Sequence, residues 1–151
     1  MPSTTPTLTA ATWQATRLGL VVVTLDQLTK LAATQVAAGH TSGLLVPVHN
    51  PRFSLGLAGP SLPVMVLLMA AGIAAAAGYT LRAAAHGRLP LWIPGFLLGG
   101  ASSNLADRLL LGSVRDFLAT PWAVINLADL AVVAAVIGAA HAHRPRHHPA
   151  A

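Results

Sequence analysis

Four stretches of this chain are each long and apolar enough to cross a lipid bilayer, and that pattern excludes most soluble folds. They run from about Ala15 to Ala37, from Ser61 to Leu81, from Leu89 to about Ala106, and from Pro121 to about Ala140. A helix rising 1.5 Å per residue needs about 20 apolar residues to span the hydrocarbon. Of the 151 residues 54% are apolar and 9% charged, where a soluble domain carries roughly 25% charged residues. So few charges cannot cover a water-facing surface, and lipid has to cover it instead. The expected fold is an all-α integral membrane protein of four transmembrane helices. It forms a single domain over residues 1–151, with 1–14 and 142–151 as disordered cytoplasmic tails.

The positive balance of +5 does not point to nucleic acid. A nucleic-acid reader gathers its basic residues on one face. Here Arg17, Lys30, Arg52, Arg82, Arg88, Arg108, Arg115, Arg144 and Arg146 are scattered, most at the ends of apolar stretches where membrane helices are anchored. There is no cysteine, so disulfides and thiolate metal sites are excluded. No Lys or Arg precedes Arg17, so the basic start of a cleaved signal sequence is missing and the first apolar stretch reads as a retained helix. Arg17, Arg82, Arg88, Arg144 and Arg146 flank the side that holds the termini, with no acid nearby. The positive-inside tendency then predicts that both termini are cytoplasmic.

Small residues mark helix contacts. Gly95, Gly99, Gly100, Ala101, Ser102 and Ser103 in the third stretch would let a neighbouring backbone approach closely, and Ala70–Gly78 in the second reads the same way.

The acids are the most informative residues. The chain has no Glu and four Asp: Asp26, Asp107, Asp116 and Asp129. Each lies within or at the edge of an apolar stretch, where an Asp costs about 2.5–3.5 kcal/mol to insert. Asp26 has Lys30 one turn on, in the favourable acid-first order, and reads first as an ion pair. The tetrapeptide Asn-Leu-Ala-Asp occurs twice, at Asn104–Asp107 and Asn126–Asp129, with amide and acid on one helical face each time. Between them a loop carries Val114-Arg115-Asp116-Phe117. Antiparallel third and fourth helices would bring both tetrapeptides and this loop together near the outer surface. Trp122 would anchor that interface, with Asp129 about 10 Å further in at helical rise. Carboxylates sharing a dry site share a proton, and such a pair can activate water while polarising a carbonyl. The same cluster equally fits a proton or ion relay.

These residues together resemble the lipoprotein signal peptidases, the type II aspartic signal peptidases of bacteria. The likeness covers nearly the whole chain. It comprises Asp26-Gln27-Leu28-Thr29-Lys30, Asn50, the run Gly99–Arg108, Val114–Phe117 and Asn126–Asp129, in that order. The resemblance implies a monomeric protease, multi-pass in the bacterial cytoplasmic membrane, with a small extracytoplasmic β-rich cradle formed by the first outer loop. Its substrates would be prolipoproteins bearing a diacylglyceryl-cysteine, cut just before that cysteine. Its other partner would be membrane lipid, and it needs no cofactor or metal. By position Asp116 and Asp129 match the catalytic pair. Asn50, Asn104, Arg108 and Asn126 match residues that position substrate, and Asp26, Lys30 and Asp107 match supporting ones.

The chain departs from the family pattern in places. Asn50-Pro51-Arg52-Phe53-Ser54-Leu55-Gly56 is shorter than the usual run and carries Arg52. Ser103 stands where the family has Gly, Ile125 where it has an aromatic, and Leu130 where it has a small hydroxyl residue. These changes touch substrate grip more than chemistry. Arg52 reads equally as a substrate contact or a headgroup anchor, with five donors in a fixed fork. A divergent homologue that binds lipoproteins with altered or lost activity, and a small four-helix transporter or proton relay, are the competing readings. The His-rich tail His141–His148 reads as a charged cytoplasmic segment or a metal ligand set.

Overall fold

The computed structural model describes residues 6–37, 43–51 and 60–143. Among these are four helices and three strands: α1 (Leu8–Ala37), β1 (Leu45–Asn50), α2 (Leu62–Ala85), α3 (Trp92–Leu111), β2 (Val114–Ala119), β3 (Val124–Ile125) and α4 (Leu127–Ala142). Every apolar stretch became a helix, but the boundaries moved. α1 starts at Leu8, so residues 8–14 are helical rather than part of a disordered tail. α3 starts at Trp92 and runs on to Leu111, beyond the expected end at Ala106. It stops at Gly112, whose φ of 70° is a left-handed stop that a side chain would strain and whose N–H bonds the Arg108 carbonyl at 3.1 Å. Arg52 and the rest of 52–59 lie outside the described residues, as do 144–151 of the His-rich tail.

The fourth stretch is shorter as a helix than its apolarity predicts. Pro121 to Asn126 form a turn and β3, and α4 begins at Leu127. Thr120 Oγ1 accepts the N–H groups of Trp122 (3.4 Å) and Ala123 (3.1 Å), which bends the chain there. Asn126 then caps α4. Its Oδ1 accepts the Asp129 N–H at 2.9 Å, and Asp129 Oδ2 accepts the Asn126 N–H at 3.2 Å, a reciprocal capping box. Asp129 therefore sits in the first turn of α4 rather than two turns deep behind Trp122.

The expected loop around Asp116 is strand β2. It is the centre of a three-stranded antiparallel sheet in the order β1-β2-β3, so the second loop supplies two of the strands. Val48 pairs with Asp116 and Asn50 with Val114.

α3 is the central helix. A Cβ at Gly99 would lie 2.7 Å from the Gly19 carbonyl oxygen of α1, and one at Gly95 equally close to Leu18. Gly100 does the same for the α4 backbone at Ala128. The small residues of α3 thus set the spacing of three helices. Those of α2 do not: Ala70, Ala71, Gly72, Ala74 and Ala75 are exposed, and Gly72 has nothing near its missing Cβ. The expected close contact is missing at those five residues, which face outward; α2 is buried at Met65 in its first turn and at Thr80, Ala83 and Ala84 near its end. There Ala83 and Ala84 pack with Leu89, Ile93 and Ala135, beside an edge-to-face Trp92–Phe96 pair.

The polarity of the bundle runs opposite to that of a soluble domain. Leu20, Leu28, Leu67, Leu68, Val136 and Ile137 are exposed, while Asp26, Lys30, Asp107 and Asn126 are fully buried. Among the described residues α2 is the one helix with both the length and the unbroken apolarity to cross a membrane. α1 and α3 carry charges, of which Asp26, Lys30 and Asp107 meet between the two helices while Arg108 turns toward β1 and Arg17 is exposed, and α4 has 16 residues.

Candidate active site

A cavity of about 750 Å³ opens between the sheet and the ends of α3 and α4. Asn50 enters it from β1, Asp116 from β2, Asn104 and Arg108 from α3, and Asp129 from α4. Asn126 is fully buried behind them. Most of the remaining lining is apolar, including Met69, Ala101, Ile125, Leu130 and Val133. The six residues expected to position or cleave a substrate therefore converge on one place, from four elements.

Asn126 joins the two carboxylates. Its Nδ2 donates to Asp116 Oδ1 at 2.6 Å, and its backbone N–H donates to Asp129 Oδ2. The other oxygens are also satisfied. Asp116 Oδ2 accepts Asn50 Nδ2 at 3.2 Å, and Asp129 Oδ1 accepts Asn104 Nδ2 at 2.8 Å. Burial pushes the Asp116 carboxyl above its ordinary range; the Asn126 and Asn50 hydrogen bonds pull against that, and the charge of Asp129 adds to it.

The amides have no freedom to flip. Asn104 Oδ1 accepts Lys30 Nζ at 2.9 Å and Asn126 Nδ2 at 3.2 Å, and an ammonium can only donate. Its NH2 must therefore face Asp129. The Asp129 N–H likewise holds Asn126 Oδ1, which turns the Asn126 NH2 toward Asp116.

Asp26, Lys30 and Asp107 line no part of the cavity and form a second layer behind it. Lys30 Nζ lies 2.7 Å from Asp26 and 3.1 Å from Asp107. The expected Asp26–Lys30 pair is present, but it also bears on the site. Asp26 Oδ1 accepts the Ala128 N–H at 2.8 Å, which docks the first turn of α4 onto α1.

Comparison with known proteins bears on which chemistry this site performs. The family model described as signal peptidase (SPase) II matches residues 18–143. The lipoprotein signal peptidase of Moorella thermoacetica is 38% identical over 131 residues, 80% of this chain and 85% of that protein. The lipoprotein signal peptidase of Methylobacterium sp. is 36% identical, over 83% of this chain and 77% of its own. The chain belongs to the signal peptidase II family. As a member it is an aspartic-type peptidase. A solved bacterial membrane enzyme shares the fold, with a TM-score of 0.67 at 22% identity over 85% of this chain and 90% of that one.

Three residues of this family member have site-supporting contacts that sequence reasoning did not assign. Gln27 and Ser103 meet at 3.0 Å, and the Ser103 hydroxyl donates to Asp26 Oδ2 at 2.7 Å. Arg115 pairs with Asp107 at 2.7 Å. A signal was available for two of them: an amide beside the buried Asp26 and a basic residue beside Asp116 are both costly in an apolar chain unless partnered. Ser103, replacing a Gly, carried no such mark.

Proposed function

We propose that Asp116 and Asp129 are the catalytic pair with which this peptidase removes the signal peptide of prolipoproteins, cutting before a diacylglyceryl-modified cysteine. The supporting observation is the pair of carboxylates bridged by Asn126 at the polar end of a largely apolar cavity. The pair holds one shared proton in the free enzyme, and in the reacting complex Asp116 carries it. Asp116 gives that proton to the scissile carbonyl oxygen while Asp129 takes one from the attacking water. The tetrahedral intermediate then collapses: one hydroxyl returns its proton to Asp116, the C–N bond breaks and Asp129 gives its proton to the leaving nitrogen. The signal peptide leaves with a free carboxylate, and the lipidated cysteine keeps the amine. The apolar lining suits a substrate whose flanks are a signal helix and acyl chains. Asn50, Asn104, Arg108 and Asn126 hold the acids and the peptide.

In the same proposal all four helices span the bacterial cytoplasmic membrane, and the protein acts as a monomer. The sheet lies on the outer surface and both termini in the cytoplasm. Exposed leucines on every helix, with Asp26, Lys30, Asp107 and Arg108 turned inward, favour lipid as the surrounding medium. The test is cleavage of a synthetic diacylglyceryl-peptide by the purified full chain. Product with wild type and none with Asp129→Asn supports the reading; equal cleavage by both overturns it.

A further inference from the structure

Asp116 reaches the cavity only if β2 presents the right face, and a strand has two. Neighbouring strand residues point to opposite sides, so a one-residue slip would turn Asp116 away and bring Arg115 into its place. The sheet alone holds this register weakly. Its pairing with β1 is irregular between Leu45 and Val48, and β3 has two residues.

The opposite face of β2 is held much more firmly. Arg115 turns its side chain toward α1 and α3. Nη2 donates to Asp107 Oδ1 at 2.7 Å and to Gln27 Oε1, Nε donates to Asp107 Oδ2 at 3.4 Å, and its backbone N–H reaches the same oxygen at 3.0 Å. Gln27 Nε2 in turn donates to Asp107 Oδ1 and to Ser103 Oγ, both at 3.0 Å. Asp107 is 1% exposed, and the Arg115 side chain 14%. A planar fork gripping a buried carboxylate and an amide allows one placement of the strand. We propose that Arg115, held by Asp107 and Gln27, is a positioning residue that locks the register of β2 and so aims Asp116 at Asp129. This rests on the reading of Asp116 as catalytic. Asp107 keeps Lys30 at 3.1 Å when Arg115 is replaced, so the loss leaves no orphaned buried charge.

The test uses the full chain in detergent micelles with the diacylglyceryl-peptide. Arg115→Met is expected to lower kcat by about tenfold or more with KM within about twofold, because aim matters in the transition state and not in substrate capture. Arg115→Lys should recover only part of the rate, since an ammonium restores the charge but not the fork. A wild-type kcat per folded Arg115→Met molecule, or full recovery with Lys, overturns the lock. If Arg115→Met does not accumulate, Gln27→Met decides, because it keeps the Asp107–Arg115 pair. A kcat lower by about threefold or more is then expected, and an unchanged kcat overturns the proposal. Asp116→Asn is run alongside: turnover by that variant would sink the catalytic reading itself, whereas an inactive Asp116→Asn beside a fully active Arg115→Met sinks only the lock.

Discussion

Asn126 donates from Nδ2 to Asp116 Oδ1 at 2.6 Å, and the same residue caps the helix that carries Asp129. One side chain therefore ties the strand acid to the helix acid. Replacing either acid should remove half of a single unit. Asp116→Asn and Asp129→Asn are each expected to cut kcat by about a thousandfold or more, and the double variant to be no worse than either. Single-turnover assays on the purified variants, with immunoblots showing normal accumulation, check this; additive losses would argue for independent roles.

The pH profile follows from the direction of the Asp116 shift. A raised folded-state value means the folded protein keeps a proton at pH values where the unfolded chain has lost it. As pH rises through that window, the protonated fraction of the pair falls, and so does this group's contribution to stability. Activity should therefore show an alkaline limb above the ordinary carboxylate range of about 4. Asn50→Ala removes a hydrogen bond that favours the ionised form, so the limb should move to higher pH. A shift to lower pH would show that Asn50 acts otherwise.

Lys30 is buried between two carboxylates, at 2.7 Å from Asp26 and 3.1 Å from Asp107. Lys30→Met leaves both less compensated in a dry interior, a loss on the order of 3–5 kcal/mol. Thermal unfolding in detergent and membrane accumulation should both fall sharply. Near-normal stability would mean that Arg115 and the hydrogen bonds suffice.

Two glycines separate packing from composition. Gly99→Val should cost about 1–3 kcal/mol or more by forcing α1 and α3 apart, since its Cβ would lie 2.7 Å from the Gly19 carbonyl. Gly72→Ala, with open space at its Cβ, should leave stability unchanged or slightly raised. Denaturation of both variants in the same detergent decides it.

The proposed topology is open to reporter fusions. An enzyme active only outside the cytoplasm should work when joined near Ser113 and fail at Gly87. Activity at Gly87 would invert the arrangement.

The number of helices among the described residues, their approximate places and the choice of the four acids as candidate residues were legible in the sequence alone. Apolar run length and the cost of a buried charge are local properties that leave direct marks on composition. The Asn-Leu-Ala-Asp repeat also marked residues that converge on the site. What the tertiary structure decided is the work each residue does. The two tetrapeptides look alike, yet Asn104 lies inside α3 and Asn126 caps α4. Their acids part accordingly: Asp129 faces the cavity, while Asp107 turns back to grip Arg115 and Lys30. The strand at Asp116 was hidden because its partner, β1, lies more than sixty residues earlier, and pairing across that distance is written in neither segment. The small residues of α2 and α3 read identically in sequence, but those of α3 lie against neighbouring backbones while Ala70, Ala71, Gly72, Ala74 and Ala75 of α2 face outward. Which face of a helix meets a neighbour is fixed by the whole bundle, and no single segment carries that information.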